Sequence, residues 1–543
     1  MKTRMVLRQL TDKSFTILTV VSVILIVLVL VVVLGPMLGR GASAVVFKGT
    51  VEFRKLHYSW HQRGSEESIR KETAETEKAR QSIYVIVDRF KRGIDTTTLV
   101  TEARKKYREY KKYLQYQNLP AAEYQELTQE AKNIRDTLSD VYNSTNKHEI
   151  VDSLDALLRD NPKKRFQDTP AGDLLIAADE YKAMVQKIDL THREQYISEL
   201  AEVQDLLRKL FGPRPEEPTP ALIMEQYGAT RWDMAQKYLH RLVWIEQWIQ
   251  IDPDKPMVKK LVPRAQHFAG TELEGLFTQI EGELPRLLQP RWTFYWQYFI
   301  DDSTEGYFFG GVGPEILGTL LFTILAMLFA VPIGVISAAY LVEYAGENIV
   351  VRLIRTCVNT LAGVPSIVFA LFGLAFFVKV LMPALGQESK PCILTGSLTL
   401  AVLVLPVIIR AGEEAIRSVP QTYKEASLAL GAGKFRTLVT VILPVAMPGI
   451  LTGIILSLSR AAGETAPLLF AGAVAAGPIA KSIFEPSRVL SYGSYDIAVG
   501  DRYAAMVPHK QFGMVVTLIV LVLCLNILAI FLRSRVSKKL RGQ

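Results

Sequence analysis

The sequence predicts an all-α integral membrane protein: six transmembrane helices, with a large, mostly helical extracytoplasmic insert after the first span. Three observations predict it. Six apolar runs, residues 14–39, 316–342, 358–382, 391–409, 437–470 and 512–532, have the length of a membrane span, which takes about 20 residues. A polar region, residues 40–310, separates the first run from the other five. The third observation is the placement of charge. The net charge is +9, yet residues 40–310 hold 40 Lys+Arg against 42 Asp+Glu. Of the 23 basic residues elsewhere, 16 fall in four short segments that flank apolar runs. Short cytoplasmic loops collect Lys and Arg, so both termini, the loop around Arg352 and Arg355, and the loop 410–436 are expected in the cytoplasm. The insert then lies outside. Membrane topology accounts for the basic excess, and no nucleic-acid partner is called for.

A chain of 543 residues exceeds one simple domain. Residues 1–39 are expected to form a cytoplasmic N-terminus and the first span, 40–310 the insert, 311–533 a core of five spans, and 534–543 a basic cytoplasmic tail. The first run is weighed against a signal peptide, because Ala42-Ser43-Ala44 resembles a cleavage site. Its uncharged stretch is longer than the roughly 7–15 residues of a signal core, which favours a retained anchor.

Within the insert, alternation over residues 45–58 predicts a short strand or hairpin. Residues 65–92 predict a charged helix capped by Ser65. Helices over 96–118 and 121–143 follow, broken at Asn118-Leu119-Pro120, and helical pattern covers 171–210. Four prolines in residues 213–220 mark a linker, since proline lacks the backbone donor a helix needs, and helices resume from Ala221. The insert reads either as a docking platform or as a solvated spacer. Cys357, Cys392 and Cys524 all lie outside it, so no disulfide framework holds it. Six of the seven histidines lie within it, without ligand spacing, and no metal site is expected. Trp292, Phe294, Tyr295, Trp296, Tyr298 and Phe299 then crowd together, either as rings along the outer headgroup zone or as a packed aromatic core.

Two motifs carry function. The first is the polar stretch Pro420 to Pro444, between two apolar runs. Pro420 suits a first helical turn, and Val419, Tyr423, Ala426 and Leu430 share a face at helical spacing. Gly431 suits a helix end that needs positive φ. A short amphipathic helix, a Gly-Ala-Gly elbow and a return to the bilayer follow. The second is Arg460-Ala461-Ala462-Gly463-Glu464-Thr465. Pro444 and Pro448 predict a break in the fifth span, and a start near Val445 puts Arg460 about 22 Å into a core about 30 Å thick. Arg460 and Glu464, four apart, share a helix face. Arginine matches a tetrahedral oxyanion through paired hydrogen bonds, and intramembrane charges face pathways. A structural ion pair between helices is the alternative. Gly431-Ala432-Gly433-Lys434 is no phosphate loop: Phe435 stands where Ser or Thr is required, and Leu428 where a Gly is.

Glu425-Ala426-Ser427, Gly431 and Val441-Ile442-Leu443-Pro444 resemble the EAA loop of bacterial ABC importer permeases at its usual spacing, with Ser427 and Val441 departing from the commonest residues. Gly463-Glu464-Thr465-Ala466-Pro467-Leu468-Leu469 resembles the A-type permease of the phosphate ABC importer. So do Gly318-Thr319-Leu320, Val331-Pro332-Ile333-Gly334 and Leu361-Ala362-Gly363-Val364-Pro365-Ser366. The resemblance covers residues 311–533 and not the insert. It implies an ABC importer permease core in the bacterial inner membrane that translocates inorganic phosphate. The implied partners are a second, related permease, two copies of an ABC ATPase and a periplasmic phosphate-binding protein, which makes the insert periplasmic. ATP and Mg²⁺ would sit on the ATPase, with no cofactor in this chain. Tyr423, Glu425, Ala426, Ser427, Gly431, Leu443 and Pro444 would couple to the ATPase; Arg460, Glu464 and Thr465 would belong to the anion pathway. Such a chain is a transport permease, with no catalytic residues of its own. Another oxyanion (molybdate, sulfate or phosphonate) is the nearest alternative. A sensory receptor is disfavoured by five spans after the insert and no cytoplasmic signalling domain.

Overall fold

The computed structural model describes residues 2–117, 119–160, 166–186, 188, 190, 193–214, 229–250, 258–346, 348–500 and 507–540. The chain divides into two compact units, Lys48–Trp292 and Met1–Phe47 with Thr293–Gln543.

The first unit is mainly helical: α2 (Val51–His61), α3 (Glu66–Ile94), α4 (Thr96–Tyr116), α5 (Ala121–Asn143), α6 (Lys147–Asp160), α7 (Pro170–Val185), α8 (Arg193–Phe211), α9 (Trp232–Val243) and α10 (Glu274–Leu288). Its core follows from helical spacing: Ile83, Val87, Phe90 and Ile94 of α3 bury one stripe against Leu207, Phe211, Phe268 and Phe277. Ser65 caps α3, its side chain accepting from Ser68 N, as the sequence predicts. Of the short strand or hairpin expected over 45–58, the strand is present and the hairpin is not. A strand occupies Val46–Gly49, and α2 replaces the rest. Thr50 accepts from Phe53 N and caps the helix, and Val51, Glu52, Phe53 and Leu56 are buried on it. Glu52 is in the core because Arg80 meets it at 2.9 Å, while Arg80 also donates to Leu287 O and Phe211 O. Removing either partner would strand a buried charge. Arg264 is similarly buried; it donates to Glu202 at 2.8 Å and holds that carboxyl below its usual range. An antiparallel ribbon, Trp244–Ile249 with Val258–Pro263, was not anticipated. The helical pattern over 171–210 resolves into α7 and α8. Most of the 213–220 linker and the residues from Ala221 to 228 lie outside the described residues, as does Asn118.

The second unit holds the spans. They are Phe15–Ala42, within α1 (Lys2–Ala42), α11 (Gly313–Glu343), α13 (Ser366–Ala384), α14 (Ile393–Arg417), α16 (Lys434–Gly463) and Pro508–Lys538, within α19 (Pro508–Leu540). Between them lie α12 (Ile349–Leu361), α15 (Gln421–Ala429), α17 (Ala466–Ala471) and α18 (Leu490–Val499). Small residues let α14 pack closely on both sides. A Cβ at Gly412 would come within 2.8 Å of Ala338 on α11, and one at Gly453 of α16 within 2.3 Å of Ala411. Ser459 donates to Asn526 Oδ1 at 2.7 Å, tying α16 to α19.

Two span boundaries differ from expectation. The run 358–382 is not one helix: α12 ends at Leu361, and α13 starts after Gly363-Val364-Pro365. Proline disfavours helical geometry in the residue before it and lacks a donor. In the fifth span the opposite happens, and the helix runs unbroken from Lys434 to Gly463. A π-helical turn at Leu438–Ile442 precedes Pro444, and the wider turn accommodates the ring. The chain leaves the helix at Glu464, whose backbone is extended. Arg460 therefore lies in the last helical turn, about 35 Å along the axis from Thr437 and about 22 Å from Val445. Of the aromatic cluster, Phe294, Trp296 and Phe299 are exposed, whereas Tyr295 and Tyr298 are buried. Tyr295 donates to Asp301 at 2.8 Å.

Candidate functional site

Helix α15 is nine residues long and buries none of them. Pro420 precedes it, and Tyr423 N donates to Pro420 O at 3.1 Å. The far end closes through Gly431, whose φ is +83° and whose N–H donates to Leu428 O at 2.9 Å. Ala432 N reaches back to Ser427 O at 3.2 Å, and Thr437 N to Gly433 O at 2.9 Å, so the elbow turns on backbone hydrogen bonds. Two side-chain ties hold it to the spans: Lys424 pairs with Glu343 at the end of α11, and Ser427 Oγ meets Thr437 Oγ1 at 3.0 Å. Tyr423, Glu425, Ala426 and Leu430 stay exposed. Val419 precedes the helix and packs with Leu443 against the bundle. Tyr423, Leu428 and Leu430 thus leave an apolar edge that no described residue covers. Leu443 and Pro444, both half-buried, sit past the π turn at the foot of the next span.

At the other end of α16, Arg460 Nε lies 3.4 Å from Glu464 Oε1, with 35% and 20% of the side chains exposed. The expected pair is present, although Glu464 has already left the helix. Glu464 O accepts from Ser491 Oγ at 3.2 Å, and Thr465 O accepts from Leu468 N and Leu469 N, starting α17. The structure thus brings Arg460, Glu464 and Thr465 together. It sets them apart from the elbow: Lys434 and Arg460 are about 39 Å apart along one rod.

Two further clusters were missed by reading motifs. Arg355, Asn359, Arg410, Glu413, Glu414 and Arg417 line a cleft of about 260 Å³ between α12 and the end of α14. Glu413 stands 3.4 Å from Arg355 and 3.9 Å from Arg417. The signal was there as charges at positions 410, 413, 414 and 417, directly after an apolar run. At the N-terminal end of α11, Arg488 (5% exposed) meets Asp302 at 2.6 Å, Ser303 Oγ at 3.0 Å and Glu315 (0% exposed) at 3.6 Å. Lys510 donates nearby to the carbonyls of Gly310 and Gly311. Nothing in the local sequence announces pairs so distant. Among the described residues, no His, Cys, Asp and Glu group has metal-site geometry.

Six helices long and apolar enough to span a membrane, with a short exposed helix between two of them, fit a membrane permease of the ABC transporter class. Residues 330–542 match the family of binding-protein-dependent transport system inner membrane components, and the chain belongs to that family. It is 35% identical over 246 residues to the probable ABC transporter permease protein YqgI of Bacillus subtilis (strain 168), covering 42% of this chain and 80% of that one. It is 36% identical over 249 residues to the phosphate transport system permease protein PstA 1 of Mycobacterium tuberculosis (strain H37Rv), covering 46% and 77%. A solved chain of the MetNI methionine ABC transporter is similar over 41% of this chain and 95% of that one, at 21% identity and a TM-score of 0.34. The matched family region leaves out the Lys48–Trp292 unit.

Proposed function

We propose that this chain is the permease subunit that carries inorganic phosphate across the inner membrane. The observation that carries the reading is the Arg460–Glu464 pair at 3.4 Å, at one end of the span whose other end bears the elbow. The phosphate transport system permease named above supports the same substrate. In this reading a periplasmic phosphate-binding protein delivers the anion, a second permease completes the path, and two ATPase subunits, which hold ATP and Mg²⁺, dock on the elbows. Tyr423, Glu425, Ala426, Ser427 and Gly431 meet the ATPase, with Leu443 and Pro444 anchoring the return. Arg460 binds the oxyanion, Glu464 limits how tightly it is held, and Thr465 lies beside them.

Uptake by reconstituted complex tests the substrate: phosphate should be taken up in preference to sulfate and molybdate, and the reverse order would overturn phosphate. Arg460→Lys keeps the charge but loses the planar fork. One charge-assisted hydrogen bond is worth roughly 1.5–3 kcal/mol, so uptake per assembled complex should fall at least about tenfold. A structural pair forecasts otherwise. Exchanging the two residues (Arg460→Glu with Glu464→Arg) would then restore yield and transport, and full transport by that exchange removes Arg460 from the anion path.

The reading also orients the chain, with residues 40–310 in the periplasm and both termini in the cytoplasm. Alkaline phosphatase fused near residue 200 should be active. A fusion there that is active only as a cytoplasmic reporter would overturn the orientation.

A further inference from the structure

Helix α18 starts without a cap of its own. Val489 stands at its N-cap and offers no side-chain acceptor to the free N–H groups of the first turn. An acceptor comes instead from α11, 171 positions earlier: Leu490 N donates to Thr319 Oγ1 at 3.0 Å. The same hydroxyl donates to Glu315 O at 2.7 Å, so its proton is committed along α11 and its lone pair faces α18. Thr319 is 3% exposed and Leu490 is fully buried. Loss of that bond leaves a buried donor with no water to replace its partner. The two helices meet this closely because Gly318 precedes Thr319. A Cβ at Gly318 would come within 1.9 Å of Arg488 O and 2.7 Å of Ser487 Oγ.

The next residue of α18 reaches the charge pair. Ser491 Oγ donates to Glu464 O at 3.2 Å. Glu464 is the first residue beyond α16, with an extended backbone (φ −75°, ψ 136°), so the helix no longer dictates its direction. The carbonyl held by Ser491 belongs to the residue whose carboxylate lies 3.4 Å from Arg460 Nε. Two successive residues therefore join α11 to the pair: Leu490 is held by Thr319, and Ser491 holds Glu464. Val489 is buried in one cluster with Phe322 of α11 and Ala461, the neighbour of Arg460 on α16, which keeps the joints together.

We propose that Thr319 is a positioning residue for the anion site, fixing through Leu490 and Ser491 where Glu464 holds Arg460. This rests on the oxyanion reading of the Arg460 site. A guanidinium recognises an oxyanion through two parallel hydrogen bonds, and these depend on its orientation. The motif Gly318-Thr319-Leu320 gains a use: the glycine admits the start of α18, and the hydroxyl holds it in register.

The test uses the whole complex in proteoliposomes and reads phosphate uptake per assembled complex at subsaturating substrate. Thr319→Val keeps the shape and removes the hydroxyl. Uptake should fall about threefold or more, the worth of one neutral hydrogen bond, and Thr319→Ser should retain most of it. In an Arg460→Lys background, Thr319→Val should lower uptake by less than about twofold further, because the fork it orients is gone. Unchanged uptake per complex in Thr319→Val, whatever its stability, overturns the proposal and leaves Thr319 a packing residue. An equal fall in both backgrounds also overturns it, since the hydroxyl then acts without Arg460. Should Thr319→Val not assemble, Ser491→Ala cuts the second joint without unpairing a buried N–H, and the same comparison decides. Normal uptake by Arg460→Lys sinks the oxyanion reading and the positioning role with it. Impaired uptake by Arg460→Lys beside normal uptake by Thr319→Val sinks the positioning role alone.

Discussion

Arg488→Met is expected to destabilise the membrane unit by about 3–5 kcal/mol, the range for removing one member of a buried ion pair. Arg488 is the cation that faces Glu315, a carboxyl with no exposed surface in the first turn of α11. Glu315 Oε1 also accepts from Ser303 Oγ at 3.1 Å, but a hydroxyl does not neutralise a buried charge. The same guanidinium holds Asp302, so its loss releases the segment that leads into α11. Unfolding of the purified complex, followed in detergent by heat or denaturant, should show the drop. The double variant Arg488→Met with Glu315→Gln should recover a large part of it, because the stranded charge is gone. A single variant as stable as the unaltered chain would show that this triad is hydrated and energetically minor.

Gly431→Pro should abolish substrate-stimulated ATP hydrolysis while leaving the spans inserted and assembled. Proline fixes φ near −65°, whereas Gly431 stands at +83°, and it removes the N–H that donates to Leu428 O. Nothing lies within 4 Å of where a Cβ would be at Gly431, so the damage is to backbone direction and not to packing. Because α15 buries no residue, the bundle loses no core contact. Gly431→Ala should give a weaker defect, since an alanine adopts positive φ at a cost of roughly 1–2 kcal/mol. Stimulated hydrolysis at the normal rate in the proline variant would remove the elbow from coupling.

What the sequence made legible follows from how local each signal is. Spans, the Ser65 cap and the elbow around Gly431 depend on residues within a few turns of one another, and reading in order finds them. The Arg460–Glu464 pair is four residues apart and was visible for the same reason. The unbroken helix beneath it was not legible, because prolines 444 and 448 predict a break, and only the three-dimensional winding shows the π turn that absorbs the first. The opposite error occurred at Pro365, where an apolar run outweighed a proline that does stop a helix. Arg488 and Glu315 are 173 positions apart in the numbering, and Arg80 meets Glu52 only because two helices pack. Burial of such charges is a property of the fold and has no local signature.

The 30-residue length of α16 has a consequence for how this protein can change. In the proposed reading its two ends face different partners: a soluble ATPase at Lys434 and an anion at Arg460. Although transport couples the two ends, contacts made at sites that far apart add nearly independently to binding and stability. Substitutions that retune one end should therefore leave the other's preference intact. A lineage can exchange its ATPase without relearning its substrate, and a laboratory can graft a different elbow onto this chain while keeping its cargo.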